Sequence, residues 1–490
     1  MDISHVYATA PDPLLFKSMF PPNSLPEFLP PPAPGSVSSA PPFLIPDHIY
    51  RAALDPRVPL TIAAAYAVTA KLLNKYNTAN GKKPWALSKT RAFYAFVVAH
   101  NIFLAVYSAW TFYGMVGVMR RSVVNPLGPQ GLNGFVDSMT RLHGPGGLGN
   151  AIYYSEPEGR WVSDSSNVSL GSDGLPSRTD LGRIWNEGLA FYGWIFYLSK
   201  FYEVLDTFII LAKGKLSSTL QTYHHAGAMM CMWAGMRYMS APIWMFAFVN
   251  SGIHALMYTY YTLSVFNVHV PVVVKRTLTS LQITQFLVGA SYAMIHSFVS
   301  YDVPVETTIV RSATSTATSA AVGSDATGSA STGLVFLDNL KQLVFGAASK
   351  VHTSALAHEG APQYTTSEET VYAHKVVPAI TTTGQSFAIW LNVLYLAPLT
   401  YLFVKFFITS YIKRSGAEAA RKGKGKTSHQ NHVTVAEKAG WDAAQGLQNE
   451  VYGTQENGRA NGSASNSKAN GSPNGRVLKP VTNQRHSRHA

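Results

Sequence analysis

The sequence contains little charge and almost no cysteine. Of its 490 residues, 13% are Asp, Glu, Lys or Arg and 47% are hydrophobic, whereas soluble domains carry about 25% charged residues. This balance argues against an ordinary soluble enzyme. The single cysteine, Cys231, excludes an intramolecular disulfide and a metal site built from cysteines. Residues 1–47 are rich in proline and have no apolar core after a basic start, so no cleavable signal peptide is predicted and the first apolar segment is expected to act as the targeting element.

Long apolar stretches, by contrast, occur seven times. Each approaches or exceeds the length of about 20 residues that spans a bilayer. They lie at about 58–74, 92–119, 186–212, 217–237, 242–266, 279–301 and 384–412. The stretches are too long for barrel strands and do not alternate, and in lipid only helices or closed barrels satisfy the backbone hydrogen bonds. The sequence therefore predicts an all-α membrane protein with seven transmembrane helices.

The positive charges predict an orientation. Lysine and arginine concentrate in the short loops after the first, third and fifth stretches, and again after the seventh, and such loops face the cytosol. The N-terminus is therefore expected in the lumen and the C-terminus in the cytosol. The formal net charge of +13 suits anionic lipid headgroups or a phosphorylated substrate, unless it reflects topology alone. Nucleic acid is not an expected partner, because the basic residues flank apolar stretches and form no docking module.

Polar segments divide the chain. Residues 1–57 form a Pro-rich leader that is expected to be extended and mobile, and residues 413–490 form a basic tail that is expected to be disordered. The predicted helical domain, 58–412, is interrupted by polar loops at 122–182 and 303–383, and the second loop is also predicted to be disordered. The first loop contains Asn167-Val168-Ser169, an N-glycosylation acceptor that is usable only on the lumenal side.

Polar side chains recur at helical spacing inside four consecutive apolar stretches. They are Lys200, Glu203, Asp206 and Thr207 in the third; Gln221, His224 and His225 in the fourth; Asn250, His254, Met257, Tyr258 and Tyr261 in the fifth; and Thr279, Gln282 and Gln285 in the sixth. Spacings of three and four residues place each set on one helix face. Ionisable groups at membrane depth cost roughly 2.5–3.5 kcal/mol each, so by default they mark a function. The four faces are expected to meet in a polar cavity inside the bundle.

Imidazole is the most versatile group in this set. Adjacent helical residues point about 100° apart, so one of His224 and His225 faces the cavity squarely while the other binds a neighbouring group. His254, from the next helix, can supply a second imidazole. Imidazole serves as general base, nucleophile or metal ligand.

Several of these residues are also compatible with roles outside catalysis. An isolated histidine in a membrane helix, such as His100 or His296, is often a hydrogen-bonded packing residue. The charged residues of the third stretch can form a structural ion pair, which is compatible with function. Metal binding is disfavoured, because the chain offers one His pair and scattered single histidines. Cys231 follows His224 by seven residues and could form a thiol–imidazole pair, but a small core residue explains it better.

Four motifs occur in a fixed order. They are Lys200-x-x-Glu203-x-x-Asp206-Thr207, Gln221-x-Tyr223-His224-His225, Asn250-x-x-x-His254-x-x-Met257-Tyr258-x-Tyr260-Tyr261 and Thr279-x-x-Gln282-x-x-Gln285. Together they resemble the very-long-chain fatty acid elongases of the endoplasmic reticulum. The resemblance implies seven helices around a narrow acyl tunnel and a 3-ketoacyl-CoA synthase activity. Such enzymes condense a long-chain acyl-CoA with malonyl-CoA and release CO2 and CoA.

The resemblance also implies roles for individual residues. His224 would accept the acyl group as an acyl-imidazole, and His254 would assist decarboxylation or hold the enolate oxygen. The candidate catalytic residues are His224, His225, His254, Asn250, Asp206, Glu203 and Gln282, and the candidate substrate-binding residues are Lys200, Lys213, Lys215, Gln221, Tyr258, Tyr261, Gln285 and Arg276. The cations among them are expected at the CoA phosphates. No metal is implied, and no cofactor beyond the substrates acyl-CoA and malonyl-CoA.

Two departures from the family pattern lie within the apolar stretches. Gln221 stands where the histidine box usually begins with His, as in a subset that resembles the polyunsaturated-acid elongases, which favours polyunsaturated or unusual acyl chains. His100-Asn101 stands where Tyr-Asn is common, which leaves the role of His100 open. Expected partners are membrane lipid and the ketoacyl reductase, dehydratase and enoyl reductase of the elongation cycle, and a homodimer is left open. The competing class is a non-enzymatic seven-helix receptor or transporter, although no repeated half supports a transporter.

Overall fold

The computed structural model describes residues 5–17, 26–266, 268, 270–314 and 364–408, without the side chains of residues 272, 275, 276, 307–314, 364–372 and 406–408. All of these residues belong to one unit of the chain, Met1–Thr454. The predicted tail, 413–490, and the middle of the predicted loop at 303–383 lie outside the described residues.

Helices make up most of the described chain. In chain order, the elements are β1 (Val6–Ala8), α1 (Pro13–Lys17), α2 (Asp47–Ala53), α3 (Arg57–Ala79), α4 (Arg91–Ser122), α5 (Gly131–Thr140), β2 (Ile152–Ser155), β3 (Arg160–Ser163), α6 (Ala190–Tyr202), α7 (Val204–Ala212), α8 (Thr219–Arg237), α9 (Ile243–Met245), α10 (Ser251–Val265), α11 (Val272–Ile295), β4 (Val299–Thr314), β5 (Tyr364–Pro378) and α12 (Thr383–Ile408). The seven apolar stretches fall on α3, α4, α6 with α7, α8, α9 with α10, α11 and α12. The sixth stretch is displaced, because α11 ends at Ile295 and a strand follows.

Two of the described helices are long and apolar enough to cross a membrane, namely α4 and the segment Thr383–Lys405 of α12. The other helices differ from these in composition or length. Glu203 separates α6 from α7, which have 13 and 9 residues, and α8 carries the His pair near its start. The mostly helical architecture is therefore shown, while seven membrane crossings stay a prediction.

Two π-helical turns interrupt the helices that carry polar faces. Trp185–Leu189 precedes α6 and contains Gly188 at a φ of 140°, which a side chain rarely tolerates. A Cβ at this position would also stand 2.8 Å from Val118 Cγ2. The second turn, Phe246–Asn250, joins α9 to α10. Turns of this kind occur often at functional sites, and the second one ends on a candidate catalytic residue.

The all-α prediction is wrong in part, because strands form in both predicted polar loops and in the leader. Strand β4 pairs with β1 and β5 in an antiparallel sheet, with Tyr301 opposite Val6 and Val377. Strands β2 and β3 form a hairpin in which Tyr154 faces Trp161. We call the assembly of α5, β1–β5 and residues 123–184 the cap.

Helix α5 packs on the sheet of the cap. Tyr301, Val303 and Val377 are buried together, and Val136 of α5 lies against them. The Tyr301 hydroxyl donates to Asp137 Oδ1 at 2.8 Å, and the second oxygen of Asp137 pairs with the buried guanidinium of Arg183 at 2.8 Å. The predicted polar loop at 122–182 is therefore ordered around α5, which shares an apolar and ionic core with Arg183 and with strands β4 and β5.

The leader was predicted to be mobile, but part of it is fixed against the bundle. Leu29 is buried, and so are Pro30–Pro32. Their carbonyls are bonded by side chains of the cap and bundle: Trp185 Nε1 donates to Leu29 O at 2.9 Å, and Arg178 donates to Pro30 O and Pro31 O at 3.2 and 2.6 Å. Proline has no N–H, so its carbonyl is the one backbone group that needs a partner.

Candidate active site

A cavity of about 70 Å³ lies where α7, α8, α10, α11 and α12 meet. It is lined by ten of the candidate residues: Asp206, Gln221, His224, His225, Asn250, His254, Tyr258, Tyr261, Gln282 and Gln285. The polar faces of four helical segments therefore converge at one place. The volume is below the range of about 300–1,000 Å³ that is typical of small-molecule sites, so the acyl tunnel stays a prediction.

A second cavity, of about 650 Å³, lies in the cap. It is larger, but its described lining includes none of the candidate residues. Convergent polar groups identify an active site better than size does. We therefore place the candidate active site at the smaller cavity.

The N-terminus of helix α8 is capped by a side chain, and this fixes the position of the histidine pair. The Ser218 hydroxyl precedes the helix and accepts a hydrogen bond of 3.1 Å from the backbone N–H of Gln221, which is N-capping. His225, one turn further, is buried, and its ring packs edge-on against Tyr66 with 6.1 Å between centroids. The N-capping residue defines the helix start, so residues 221, 224 and 225 reach the cavity.

His224 is held by a tyrosine that the sequence analysis missed. The Tyr395 hydroxyl, from α12, donates to the backbone carbonyl of His224 at 2.9 Å and lies 3.0 Å from His224 Nδ1. Because the hydroxyl has one proton and the carbonyl takes it, the hydroxyl accepts a hydrogen bond from Nδ1. Neutral His224 then carries its proton on Nδ1 and keeps a free lone pair on Nε2.

Glu203 links Lys200 to His254 behind the cavity wall. Its Oε1 accepts hydrogen bonds from Lys200 Nζ at 2.6 Å and from Ser199 Oγ at 3.0 Å, and it lies 3.7 Å from His254 Nδ1. Lys200 Nζ also donates to Asn250 Oδ1 at 3.4 Å. Lys200 is 4% exposed, so its position favours charge pairing and orientation of Asn250 over binding of a CoA phosphate.

Asp206 joins three helices. One carboxylate oxygen lies 2.6 Å from His100 Nε2 of α4, and the other accepts the Tyr258 hydroxyl of α10 at 2.6 Å. His100 also stacks on Tyr202 with 5.3 Å between ring centroids. His100 therefore packs and bonds at the back of Asp206, and spacing within one helix could not indicate this contact between helices.

Three polar atoms of cavity residues are buried without a hydrogen-bond partner in the described part of the chain. They are Gln221 Nε2, Gln285 Oε1 and His254 Nδ1. Leaving a buried polar atom unpaired costs about 1–3 kcal/mol, so a polar substrate that reaches these atoms replaces missing bonds. Gln282 Nε2 already lies 3.1 Å from Met257 Sδ, which is a weak acceptor.

Two of the remaining candidate cations, Lys213 and Lys215, are not among the described residues that line the cavity. Lys213 and Lys215 are half-buried in the loop between α7 and α8, and burial lowers the pKa of Lys213. This loop packs on the loop between α3 and α4, since a Cβ on Gly214 would stand 2.5 Å from the carbonyl oxygen of Lys82. Lysines of two loops therefore share one end of the bundle. The side chain of Arg276 lies outside the described ones.

Cys231 is part of the apolar core. It is 2% exposed, and its Sγ lies 3.9 Å from the carbonyl oxygen of Leu391. The described residues that line the active-site cavity do not include it, which favours a small core residue over a thiol–imidazole pair. Across the described ranges, no group of three or more His, Cys, Asp or Glu is placed to hold a metal ion.

Comparisons with known proteins give a consistent result. The family model described as ELO: GNS1/SUR4 family matches residues 52–419.

Similar proteins include very long chain fatty acid elongase 3 from Homo sapiens, 36% identical over 110 residues that make up 22% of this chain and 41% of that protein. Fatty acid elongase 2 from Trypanosoma brucei brucei is 28% identical over 124 residues, 25% of this chain and 46% of that protein. Very long chain fatty acid elongase 6 from Drosophila melanogaster is 32% identical over 118 residues, 24% of this chain and 36% of that protein. The matched segments span less than half the length of these relatives. No solved structure matches the chain.

Proposed function

Because the chain belongs to the GNS1/SUR4 family, we propose that it is a membrane-bound 3-ketoacyl-CoA synthase that condenses a long-chain acyl-CoA with malonyl-CoA. The names of its relatives, which are fatty acid elongases, support elongation chemistry. The observation that carries the proposal is the arrangement of His224, whose Nδ1 is bonded to Tyr395 while Nε2 keeps its lone pair at the cavity.

In the first half-reaction, His224 Nε2 attacks the thioester carbon of the acyl-CoA. The C–S bond breaks, the acyl group stays on Nε2 as an acyl-imidazole, and the CoA thiolate leaves and takes up the proton that Nδ1 gives up. A covalent intermediate divides one difficult condensation into two easier steps. The requirement on the protein is a neutral imidazole with the correct tautomer, which the Tyr395 contact supplies.

In the second half-reaction, malonyl-CoA loses CO2, and the electron pair of the broken C–C bond forms an enolate. The enolate carbon attacks the acyl carbonyl, the C–N bond to His224 breaks, and the imidazole takes up one proton from water. Asn250 is suited to hold the enolate oxygen. Lys200 Nζ donates to Asn250 Oδ1, so the amide N–H groups of Asn250 are left for the substrate. His254, kept near Glu203, is the second candidate donor.

The CoA moieties are proposed to bind at the lysine-rich end of the bundle. Lys213 and Lys215 lie there, next to the loop that carries Lys82 and Lys83, and ammonium groups bind phosphates as point charges. Arg276 is retained as a candidate. Gln221, with its unpartnered Nε2, is proposed to favour polyunsaturated or unusual acyl chains.

We further propose that the protein is a multi-pass protein of the endoplasmic reticulum with a lumenal N-terminus and a cytosolic C-terminus. The cap is then lumenal, and Asn167, which is exposed there, becomes an acceptor for N-glycosylation. The ketoacyl reductase, dehydratase and enoyl reductase of the cycle are the proposed functional partners, because the 3-ketoacyl product must be reduced and dehydrated before another round.

The test uses purified protein in detergent with long-chain acyl-CoA and without malonyl-CoA. We expect one equivalent of CoA to be released per enzyme and the acyl mass to appear on the peptide that contains His224. The adduct should be lost in His224→Ala and kept in Cys231→Ala. Addition of malonyl-CoA should then release 3-ketoacyl-CoA.

Two results would contradict parts of this proposal. Product formation with malonyl-CoA, but no CoA release or adduct before it, would replace the covalent step by direct condensation. No CoA release, adduct or product with any acyl chain would restore the receptor or transporter class.

A further inference from the structure

The 650 Å³ cavity in the cap is a second built site. Its walls come from the leader around α1, from strands β2, β4 and β5, and from the ends of α11 and α12. Its volume falls within the range of about 300–1,000 Å³ that is typical of small-molecule sites. Ser386 of α12 lines this cavity, and Tyr395 lies nine residues further along the same helix. That separation is about 13 Å at 1.5 Å per residue, so the two sites are distinct.

A buried arginine that has no carboxylate partner among the described side chains lines this cavity. Arg141 is 4% exposed, its Nη2 donates to the carbonyl of Pro378 at 2.6 Å, and its guanidinium lies 4.7 Å from the ring centroid of Tyr153. Among the described side chains, no carboxylate oxygen lies within 4.0 Å of it. A buried charge that lacks a counter-charge is strongly unfavourable.

Asp12 and Glu156 are the carboxylates of the described lining, and both accept hydrogen bonds, as does Asp137 one helical turn before Arg141. Asp12 Oδ1 accepts the backbone N–H of Leu14 at 2.8 Å. Asp137 binds Arg183 and Tyr301 with its two oxygens. Glu156 accepts hydrogen bonds from the backbone N–H and the hydroxyl of Thr383, both at 2.7 Å. The charge of Arg141 is thus left for a ligand that brings its own negative group.

Part of the cavity lining is apolar. Leu14, Leu15 and Phe16 of α1 line the cavity together with Ile380. Leu15 and Ile380 belong to one apolar cluster, and the Phe16 ring packs edge-on against Trp390 with 5.6 Å between centroids. A ligand that fills the cavity therefore meets both a cationic group and an apolar surface.

We propose that the cap cavity binds an anionic amphiphile, with its negative headgroup at Arg141 and its hydrocarbon chain against α1. A guanidinium binds a carboxylate or a phosphate through two parallel N–H bonds. The headgroup is therefore that of a fatty carboxylate or of a lysophospholipid. This site does not depend on the elongase reaction, because its residues are separate from the His224 cavity.

The test is photo-crosslinking on the full-length protein in detergent. A fatty acid with a diazirine on its chain is bound, irradiated and mapped by peptide mass spectrometry. We expect label on residues 9–16 or 376–386, and about a 10-fold or greater loss of that label in Arg141→Gln, since a charge-assisted pair is removed. Arg160→Gln is the matched control, because Arg160 is an exposed arginine of the cap that pairs with Glu158 and does not line the cavity.

Competition identifies the ligand class and guards against misfolding. Excess unlabelled fatty acid and lysophosphatidic acid distinguish the two headgroup sources, and a fatty alcohol of equal chain length should compete at least 10-fold less well than either. Leu14→Asp, which alters the apolar wall and leaves Arg141 unchanged, should also reduce labelling. Label spread over lipid-facing helices, or equal competition by the alcohol, would overturn the proposal.

Discussion

At the scale of single residues, one hydroxyl on α12 selects the tautomer of neutral His224, and with it the nitrogen that would react in the proposed acylation. Tyr395→Phe removes the acceptor at Nδ1 and keeps the ring that stacks on Tyr223, with 5.5 Å between centroids. We expect acylation to slow roughly 5- to 10-fold, because a neutral hydrogen bond contributes about 1 kcal/mol and the imidazole is then free to change tautomer. The measurement is the rate of CoA release without malonyl-CoA, with the KM for acyl-CoA expected to stay unchanged.

Tyr223→Phe is the matched control for this prediction. It also removes one hydroxyl from the same ring pair, but that hydroxyl donates to the carbonyl of Tyr395 at 3.2 Å and leaves the bond at His224 Nδ1 intact. Acylation should therefore proceed near the wild-type rate. Equal slowing in both variants would attribute the effect to packing of the two rings instead of to the tautomer.

The residues that line the candidate site were largely predictable from their spacing along single helices. The residues that this prediction omitted share one cause. His224, His254 and Gln285 sit in repeats of three and four residues, so the sequence itself shows that each shares a helix face with other polar groups. Tyr395 and His100 act across helix contacts, to α8 and α7. Local periodicity contains no information about such contacts.

At the scale of helices, the carboxylate of Asp206 on α7 contacts one side chain of α4 and one of α10. Asp206→Ala leaves His100 and Tyr258 without the two carboxylate oxygens that they bond at 2.6 Å. Breaking a buried pair in this way costs about 3–5 kcal/mol, so we expect the midpoint of thermal unfolding in detergent to fall by on the order of 10 °C.

Tyr258→Phe tests the same contact between helices by removing one of the two hydrogen bonds to Asp206. A hydrogen bond to a charged group contributes about 1.5–3 kcal/mol, so the midpoint should fall by less than in Asp206→Ala. His100→Phe is the complementary variant, since it retains the stacking on Tyr202. A midpoint that is unchanged in all three variants would show that Asp206 does not connect the helices energetically.

A buried histidine is expected to make the cap sensitive to acid. His143 is 5% exposed and packs against Trp161 and Trp185 with centroids 5.1 and 5.3 Å away. Burial, assisted by the charge of Arg183, lowers the pKa of His143 from 6.5 to about 3. The folded state therefore binds fewer protons than the unfolded state, so stability is fully present above pH 6.5 and is lost as the pH falls from 6.5 toward 3. At pH 5.5 the loss is about 1.4 kcal/mol.

The measurement compares thermal unfolding of wild type and His143→Phe at pH 7.5 and pH 5.5. The phenyl ring keeps the packing against both tryptophans and cannot be protonated. We expect the wild type to lose more stability on acidification than the variant does, with other titrating groups affecting both proteins alike. An equal loss in the two proteins would mean that His143 is hydrated or protonated in the folded cap.

The strands of the cap are the part of the fold that the sequence analysis did not predict. Val299, Tyr301 and Val303 alternate with the polar residues Ser300 and Asp302, which is the period of a half-buried strand. The surrounding Ser, Thr, Ala and Gly indicate disorder more strongly than this short alternation indicates a strand. The partner strand β5 begins 50 residues after the end of β4. The sequence therefore has no short turn between the two strands that would indicate their pairing.

At the scale of the whole molecule, the lysine-rich loops and the cap lie at opposite ends of α4. At one end, the backbone N–H of Trp85 donates to the carbonyl of Ala212 at 2.9 Å, next to the loop that contains Lys213. At the other end, Arg121 pairs with Glu187 at 2.5 Å, beside the cap. The rule that basic loops stay in the cytosol then predicts a lumenal cap. Charge asymmetry along the chain needs no knowledge of packing, so the sequence alone yields this prediction, and the lumenal position of the cap stays a prediction.

The orientation is testable because the chain has one cysteine. In a Cys231→Ala background, Leu87→Cys and Leu127→Cys place single thiols before and after α4, at positions that are 60% and 93% exposed. Helix α4 has 32 residues and is about 48 Å long, which exceeds the hydrocarbon thickness of about 30 Å. In sealed microsomes, an impermeant maleimide should label Leu87→Cys at once and Leu127→Cys only after detergent is added.

Leu216→Cys, between α7 and α8, should behave like Leu87→Cys, because the two loops share one end of the bundle. The reverse pattern would place the cap in the cytosol, and immediate labelling of both ends would mean that α4 does not cross the membrane.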